Sequence, residues 1–268
     1  MDALKFYRVR SWIKNLGIVL LGFLSSDGSL PDLFLSFLNT SFLMAFVASL
    51  NDFYDSRSGE KNFVGEFVEE HGERKALFLV YCPLIGVMLL HLLRPSPNLL
   101  LVSIAFAFLY YVYSAPPRLR NWWYFSLPIN VVCLGPLTFF QGFYPGSGEM
   151  NYVSIGVVLS LSIYIALSET IHQMSHEKKD REMKVRSLPN VFGLRASKNL
   201  AKFFCGLGIV INVLFSFAHI LFLCASVVWV LRFVKVSSAR NYGKLREEIS
   251  FVPDGILFSL ALASERFL

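Results

Sequence analysis

Apolar residues run along this chain in blocks about the length of a membrane crossing, broken by short polar stretches. A helix rises 1.5 Å per residue and needs about 20 mostly apolar residues to cross the hydrocarbon core. Nine segments meet or approach that: 12–27, 31–50, 75–93, 97–114, 123–144, 152–172, 200–217, 218–234 and 250–267. The seventh and eighth are divided only near Phe217–Ala218, and the ninth carries Pro253 and Asp254. Several are short, which bilayer thinning or snorkelling would absorb. The pattern predicts nine transmembrane helices in one all-α integral membrane domain over 1–268. The run from Trp12 to Leu24 lacks a small-residue cleavage pattern and is followed by further spans, so it reads as the first anchor.

Composition agrees, with 54% hydrophobic and 16% charged residues and a mean hydropathy of +0.52; soluble domains carry roughly 25% charged residues. Lys and Arg test the span count independently. With nine spans, all but two of the 25 fall on one side: Lys5, Arg8, Arg10 and Lys14, then Arg57 to Lys75, Arg118 with Arg120, Lys178 to Lys202, and Arg232 to Arg246. Only Arg94 and Arg266 fall on the other. Cytoplasmic loops are the Lys/Arg-rich ones, which predicts a multi-pass cell-membrane protein with its N-terminus cytoplasmic and its C-terminus outside. Orientation and anionic headgroups account for the net charge of +6, so nucleic acid is not required as a partner. Cys82, Cys133, Cys205 and Cys224 stand singly in apolar runs, without metal or disulfide spacing. The connections after spans two, six and eight are long, and such loops tend to carry function.

Polar residues gather at the cytoplasmic ends of the spans. Asn51, Asp52 and Asp55 end span two; the two acids are three apart, on one face if the helix continues. They suit a hard cation such as Mg²⁺ shared with a phosphate-bearing ligand, or they are a helix end whose acids reach water. At the end of span six, Glu169, His172, Gln173, His176, Glu177 and Asp180 trace one helical stripe. Ionisable groups inside a span cost roughly 2.5–3.5 kcal/mol each and mark function by default; the alternative is a polar seam between helices. His172 and His176 have zinc-ligand spacing, but the His-Glu-x-x-His order is absent. After span four, Tyr113-Ser114-Ala115-Pro116-Pro117-Arg118-Leu119-Arg120 ends the helix at its prolines. Its two guanidiniums either grip phosphate oxygens or signal topology. In Arg8-Val9-Arg10-Ser11-Trp12-Ile13-Lys14-Asn15 an aromatic anchor sits among bases, as at a first membrane boundary.

Together these motifs resemble the UbiA superfamily of intramembrane prenyltransferases over most of the chain. Asn51-Asp52-x-x-Asp55 is similar to the family's first aspartate motif, and Tyr113 to Arg118 to its basic loop. Asp180-Arg181 followed by Ser187-Leu188-Pro189-Asn190-Val191-Phe192-Gly193 resembles the second motif and its tail. Three positions depart from that pattern. Gly59 replaces a third aspartate, with Glu60 beside it. His176 replaces the aspartate that opens the second motif, with Glu177 beside it. Lys61-Asn62-Phe63-Val64-Gly65 replaces an Arg-Pro segment.

The resemblance implies a nine-helix bundle around a central cavity open to the cytoplasmic side. It also implies transfer of an isoprenyl group from a polyprenyl diphosphate to a lipophilic or phosphate-bearing acceptor. Asn51, Asp52, Asp55 and Asp180 would be catalytic, and Mg²⁺ would be held by Asp52, Asp55, His176, Glu177 and Asp180. Lys14, Tyr113, Ser114, Arg118, Arg120, Glu169 and His172 would bind substrate. The rival readings are a transporter or channel with a polar pathway along span six, and a catalytically silent member of the family. Acids gathered at one end of the spans, not at the midplane, disfavour the transporter.

Overall fold

The computed structural model describes residues 2–146, 148–183 and 185–267. Lys184 and the Arg266 side chain, both part of the charge alternation, lie outside the described residues. The helices begin with α1 (Ala3–Phe6), α2 (Val9–Trp12), α3 (Leu16–Leu24), α4 (Leu30–Ser56), α5 (Phe63–His71), α6 (Glu73–Leu93) and α7 (Pro97–Ser114). There follow α8 (Trp123–Val132), α9 (Thr138–Phe143), α10 (Tyr152–Ser175), α11 (Glu177–Glu182) and α12 (Leu188–Phe215). The last are α13 (Leu221–Ser238), α14 (Tyr242–Glu248) and α15 (Val252–Phe267). A π-helical turn at Cys133–Leu137 joins α8 to α9; Pro136, which cannot donate a backbone hydrogen bond, lies within it.

Among the described residues, seven helices are long and apolar enough to cross a membrane: α4, α6, α7, α8 continued through α9, α10, α12 and α13. They fall on predicted spans two to eight. The segments predicted as spans one and nine fold as shorter helices, α3 with 9 residues and α15 with 16. Exposed Phe78, Leu92, Phe108 and Phe217 point away from the protein interior, as lipid-facing side chains do.

Three local differences from the sequence expectation have physical causes. First, α12 starts well before residue 200, because Ser187 and Pro189 form a helix start; it then kinks at Gly193, whose φ of 81° suits glycine. Second, α10 stops at Ser175 and His176 leaves helical geometry, so the polar stripe is interrupted before Glu177. Third, Arg232 lies inside α13 and not in the loop. It is buried and pairs with Asp254 through both terminal nitrogens, the Nη1–Oδ1 distance being 2.9 Å. The rings of Tyr164 and Trp229 lie 5.0 and 4.9 Å from its guanidinium. Both charges are thus compensated, as burial at membrane depth demands.

Contacts divide the chain into two compact units, 1–119 with 137–148, and 120–136 with 149–268. In the first, Phe6, Phe46, Leu50, Phe53, Val64, Phe67, Ala76 and Val80 form a core shared by α1, α4, α5 and α6. There α3 and α9 approach through Gly22 and Gly142, where any Cβ would overlap a carbonyl of the facing helix. In the second, Leu167, Ile171, Met174, Ala201, Cys205, Trp229, Val236, Leu245 and Ile249 bind α10, α12, α13 and α14 together. Buried polar side chains cross-link the helices of each unit: Thr40 donates to Gln141 at 2.6 Å in the first, and Asn212 to Ser160 at 2.6 Å in the second.

Candidate active site

The first unit carries a polar cluster at the end of α4. The helix continues to Ser56, so Asp52 and Asp55 do share a face, and both are buried, 7% and 5% exposed. Each carboxylate is held by an arginine brought from elsewhere in the chain. Arg8 Nη1 lies 2.9 Å from Asp52 Oδ1, and Arg118 Nη2 lies 2.6 Å from Asp55 Oδ1. Asn51 Nδ2 donates to Asp55 Oδ2 at 3.1 Å, and Ser114 Oγ donates to Asn51 Oδ1 at 3.4 Å. Arg118 also reaches Ser58 Oγ. Its backbone sits in the left-handed region, φ 58°, and its N–H donates to Ala115. The turn after α7 thereby folds back towards α4.

The segment that departs from the family pattern has a role here. Asn62 caps α5 by accepting from Gly65 N–H at 2.8 Å, while its amide donates to the Asp52 carbonyl, also at 2.8 Å. It staples the loop to the aspartates. Gly59, at φ 88°, makes the reversal that leads there. Tyr113 packs edge-on against Tyr110 with ring centroids 5.7 Å apart. Lys14 stays exposed on the 3-10 turn after α2 and pairs with neither aspartate.

The second unit carries the other cluster. Glu169 accepts from Gln173 at 3.2 Å and is hydrogen-bonded by Asn130 of α8, and Gln173 Oε1 accepts from Leu188 N–H at 3.0 Å, tying α10 to the start of α12. The rings of His172 and His176 meet edge-on, centroids 4.5 Å apart. Arg246 of α14 points Nη1 at His176 Nε2, 3.1 Å away. An arginine can only donate, so that nitrogen accepts, and the lone pair a metal would use there is engaged. Glu177 turns to Arg181, one helical turn on. Asp180 lies within electrostatic reach of His176, Lys179 and Arg120; burial pushes its carboxyl up, and the Ser187 hydrogen bond and these neighbours pull it back only in part.

Each unit therefore gathers part of the predicted set: Asn51, Asp52, Asp55, Ser114 and Arg118 in one, and His172, His176, Asp180 and Arg120 in the other. Among the described residues no three His, Cys, Asp or Glu side chains converge as a metal cage. Mg²⁺ does not need one. It keeps several waters and is commonly bound by one or two carboxylates plus substrate phosphates. The all-oxygen set of Asn51, Asp52 and Asp55 fits it better than the imidazole of His176 does. Arg8, Asn62, Asn130 and Arg246 were not expected as site residues, though Arg8 lay in the basic N-terminal stretch and Asn62 in the segment that departs from the family pattern.

The fold defines an all-α, multi-pass integral membrane protein whose helix ends carry carboxylates matched to guanidiniums. The sequence profile of the UbiA prenyltransferase family matches residues 15–259, and the chain belongs to that family of transferases. No curated protein matches the sequence. Among solved structures, the fold is similar to that of a UbiA homologue from Archaeoglobus fulgidus. Its complex with GPP and Mg²⁺ aligns with a TM-score of 0.78 at 17% identity, over 98% of this chain and 100% of that one. Its complex with DMAPP and Mg²⁺ gives 0.77 at 17% identity, over 98% and 99%. The apo UbiA homologue from Aeropyrum pernix K1 gives 0.70 at 16% identity, over 96% and 98%.

Proposed function

We propose that this protein transfers an isoprenyl group from a polyprenyl diphosphate to a membrane-associated acceptor with the help of Mg²⁺. The observation that carries the reading is the pair of buried carboxylates, Asp52 and Asp55, with half-buried Asn51 beside them and Arg8 and Arg118 against them, in a member of a prenyltransferase family. The homologue complexes with DMAPP, GPP and Mg²⁺ support the substrate class and the ion. Mg²⁺ supplies the positive charge that lets an anionic diphosphate approach carboxylates and leave as pyrophosphate. Asp52 and Asp55, with the Asn51 amide oxygen, are one proposed oxygen set for the ion; Asp180, with Glu177 or His176, is the other. Arg118, with Lys14 and Arg120 as further contributors, neutralises phosphate oxygens, and fixed charges of this kind act without reorganising. Tyr113, Ser114, Glu169 and His172 complete the proposed substrate contacts.

In this reading the chain is a single membrane domain with nine spans, α3 and α15 being the two short ones. Its cavity opens to the cytoplasmic side, and its N-terminus is cytoplasmic. The test is direct. The purified protein is incubated with Mg²⁺, a ladder of prenyl diphosphates and a panel of quinone-precursor, lipid and sugar-phosphate acceptors, and pyrophosphate release is measured. Release that requires both donor and Mg²⁺ supports the proposal. No release with any donor leaves the catalytically silent reading in its place.

A further inference from the structure

Beside α11 the second unit has an open surface pocket of about 380 Å³ lined by Arg181, Val185, Arg186, Asn190 and Val191. None of the lining residues is acidic. Arg186 is its fixed point. The backbone is clamped on both sides, Arg186 N–H donating to Asn121 O at 2.9 Å and Trp123 N–H to Arg186 O at 3.0 Å. The guanidinium lies 4.9 Å from the Trp122 ring and has no carboxylate partner among the described residues. Stacking of this kind orients a guanidinium and leaves its edge N–H groups to donate outward. Arg181 adds a second guanidinium at the rim, where it pairs with Glu177. Asn190 Nδ2 spends one N–H on Val185 O at 3.0 Å and has a second to give.

The surroundings locate the pocket at the membrane surface. Trp122 and Trp123 each pack against Tyr124, and Trp123 meets Phe192 with ring centroids 5.0 Å apart. Aromatic groups of this kind mark the headgroup level of a bilayer, where basic pockets take anionic headgroups. The polar lining consists chiefly of donors, the charge is uncompensated at Arg186, and two valines supply an apolar wall. We infer that this pocket binds a phosphate ester, its phosphate on Arg186 and Arg181 and its apolar part against Val185 and Val191. The same chemistry is carried by the headgroup of an anionic phospholipid and by a soluble phosphate ester. No lining residue is a carboxylate proposed for the metal, but Arg181 pairs with Glu177 of that set. Substitution of Arg186, which has no carboxylate partner among the described residues, is therefore what separates this site from the transfer reaction.

Both sources can be presented to the intact, delipidated protein in detergent. One arm titrates phosphatidylglycerol, with phosphatidylcholine as the zwitterionic comparison, and counts bound lipid by native mass spectrometry. The other arm titrates glycerol phosphate by calorimetry. Arg186→Gln should weaken whichever ligand binds by about tenfold, and Arg181→Gln should weaken it less. Arg186→Lys, which keeps the charge but loses the stacked planar fork, should weaken binding by less than Arg186→Gln does. Arg195→Gln, exposed outside the pocket, should leave binding unchanged. Binding of phosphatidylglycerol alone assigns the site to a lipid, and comparable binding of glycerol phosphate assigns it to a soluble ester. If neither ligand binds, or if binding is indifferent to both Arg186→Gln and Arg181→Gln, the inference is wrong.

Discussion

Replacing Arg118 by Met would strip the countercharge from Asp55, and the cost follows from the geometry. Asp55 is 5% exposed; one oxygen lies 2.6 Å from Arg118 Nη2, and the other is left with the Asn51 amide at 3.1 Å. Removing one partner of a buried ion pair costs about 3–5 kcal/mol. The Arg118 side chain is 17% exposed, so water reaches the gap, and about 2 kcal/mol should remain after that relief. In a chain of this size each kcal/mol moves Tm by roughly 2–4 °C, giving a fall of roughly 4–8 °C. Mg²⁺ reverses it, because a cation bound at Asp55 restores the missing charge; at a hundred times its Kd, a ligand stabilises by about 2.7 kcal/mol. The double variant Arg118→Met with Asp55→Asn removes the buried charge itself. It should melt near wild type and respond less to Mg²⁺ than the single variant. A thiol-reactive dye reads the transition in a background with Cys82 and Cys224 replaced, since Cys133 and Cys205 are buried until the bundle opens. If Arg118→Met melts with wild type, or if Mg²⁺ lifts single and double variants equally, the assignment of Asp55 as a charge awaiting a cation fails.

Other perturbations bear on the same reading. Asp52→Asn and Asp55→Asn should each reduce prenyl transfer by about a hundredfold or more while the protein stays folded; turnover at wild-type rates in both would remove the diphosphate–metal site from α4. His176→Asp places a carboxylate where Arg246 now donates to a nitrogen, so Mg²⁺-dependent turnover should hold or rise; an activity that needs zinc and ignores Mg²⁺ would contradict this. Gly142→Ala drives a Cβ into the Val19 carbonyl and should cost about 1–3 kcal/mol, seen as lower Tm; an unchanged Tm would mean α3 and α9 do not approach so closely. A cysteine at Glu69, exposed on α5, should react only with reagent applied from the cytoplasmic side, and one at Glu149, exposed near Gly146, only from outside; the reverse pattern would invert the orientation.

The seven long spans were legible because each is a run of apolar residues long enough to dominate any local average. The ends of the chain were harder to read for the opposite reason. At the N-terminus, Arg8, Arg10 and Lys14 run into the first apolar block, and the chain turns three times before α3 becomes regular. In the ninth segment Asp254 looks like a defect until Arg232 is found beside it. Neither residue announces the other, since they stand 22 positions apart on different helices. Counting Arg232 as a loop cation was natural, because charge counting sees sign and position and has no means of seeing a partner.

The site shows the same division between what lies along one helix and what arrives from elsewhere. Asp52 with Asp55, and Glu169 with His172 and Gln173, were readable because spacing on one helix fixes their common face. What completes each cluster comes from other segments. Arg8 reaches Asp52 from a turn 44 residues earlier, and Arg246 reaches His176 from a short helix 70 residues later. Asn62 is the instructive case. Lys61 to Gly65 stands where the family pattern has an Arg-Pro segment. The asparagine there instead uses one side chain twice, as cap of α5 and as donor to the Asp52 carbonyl. A loop anchored in this way holds the backbone of the aspartate motif without adding charge to it, which leaves the electrostatic work to Arg8 and Arg118. The departure from pattern thus changes which atoms support the carboxylates while the carboxylates stay in place.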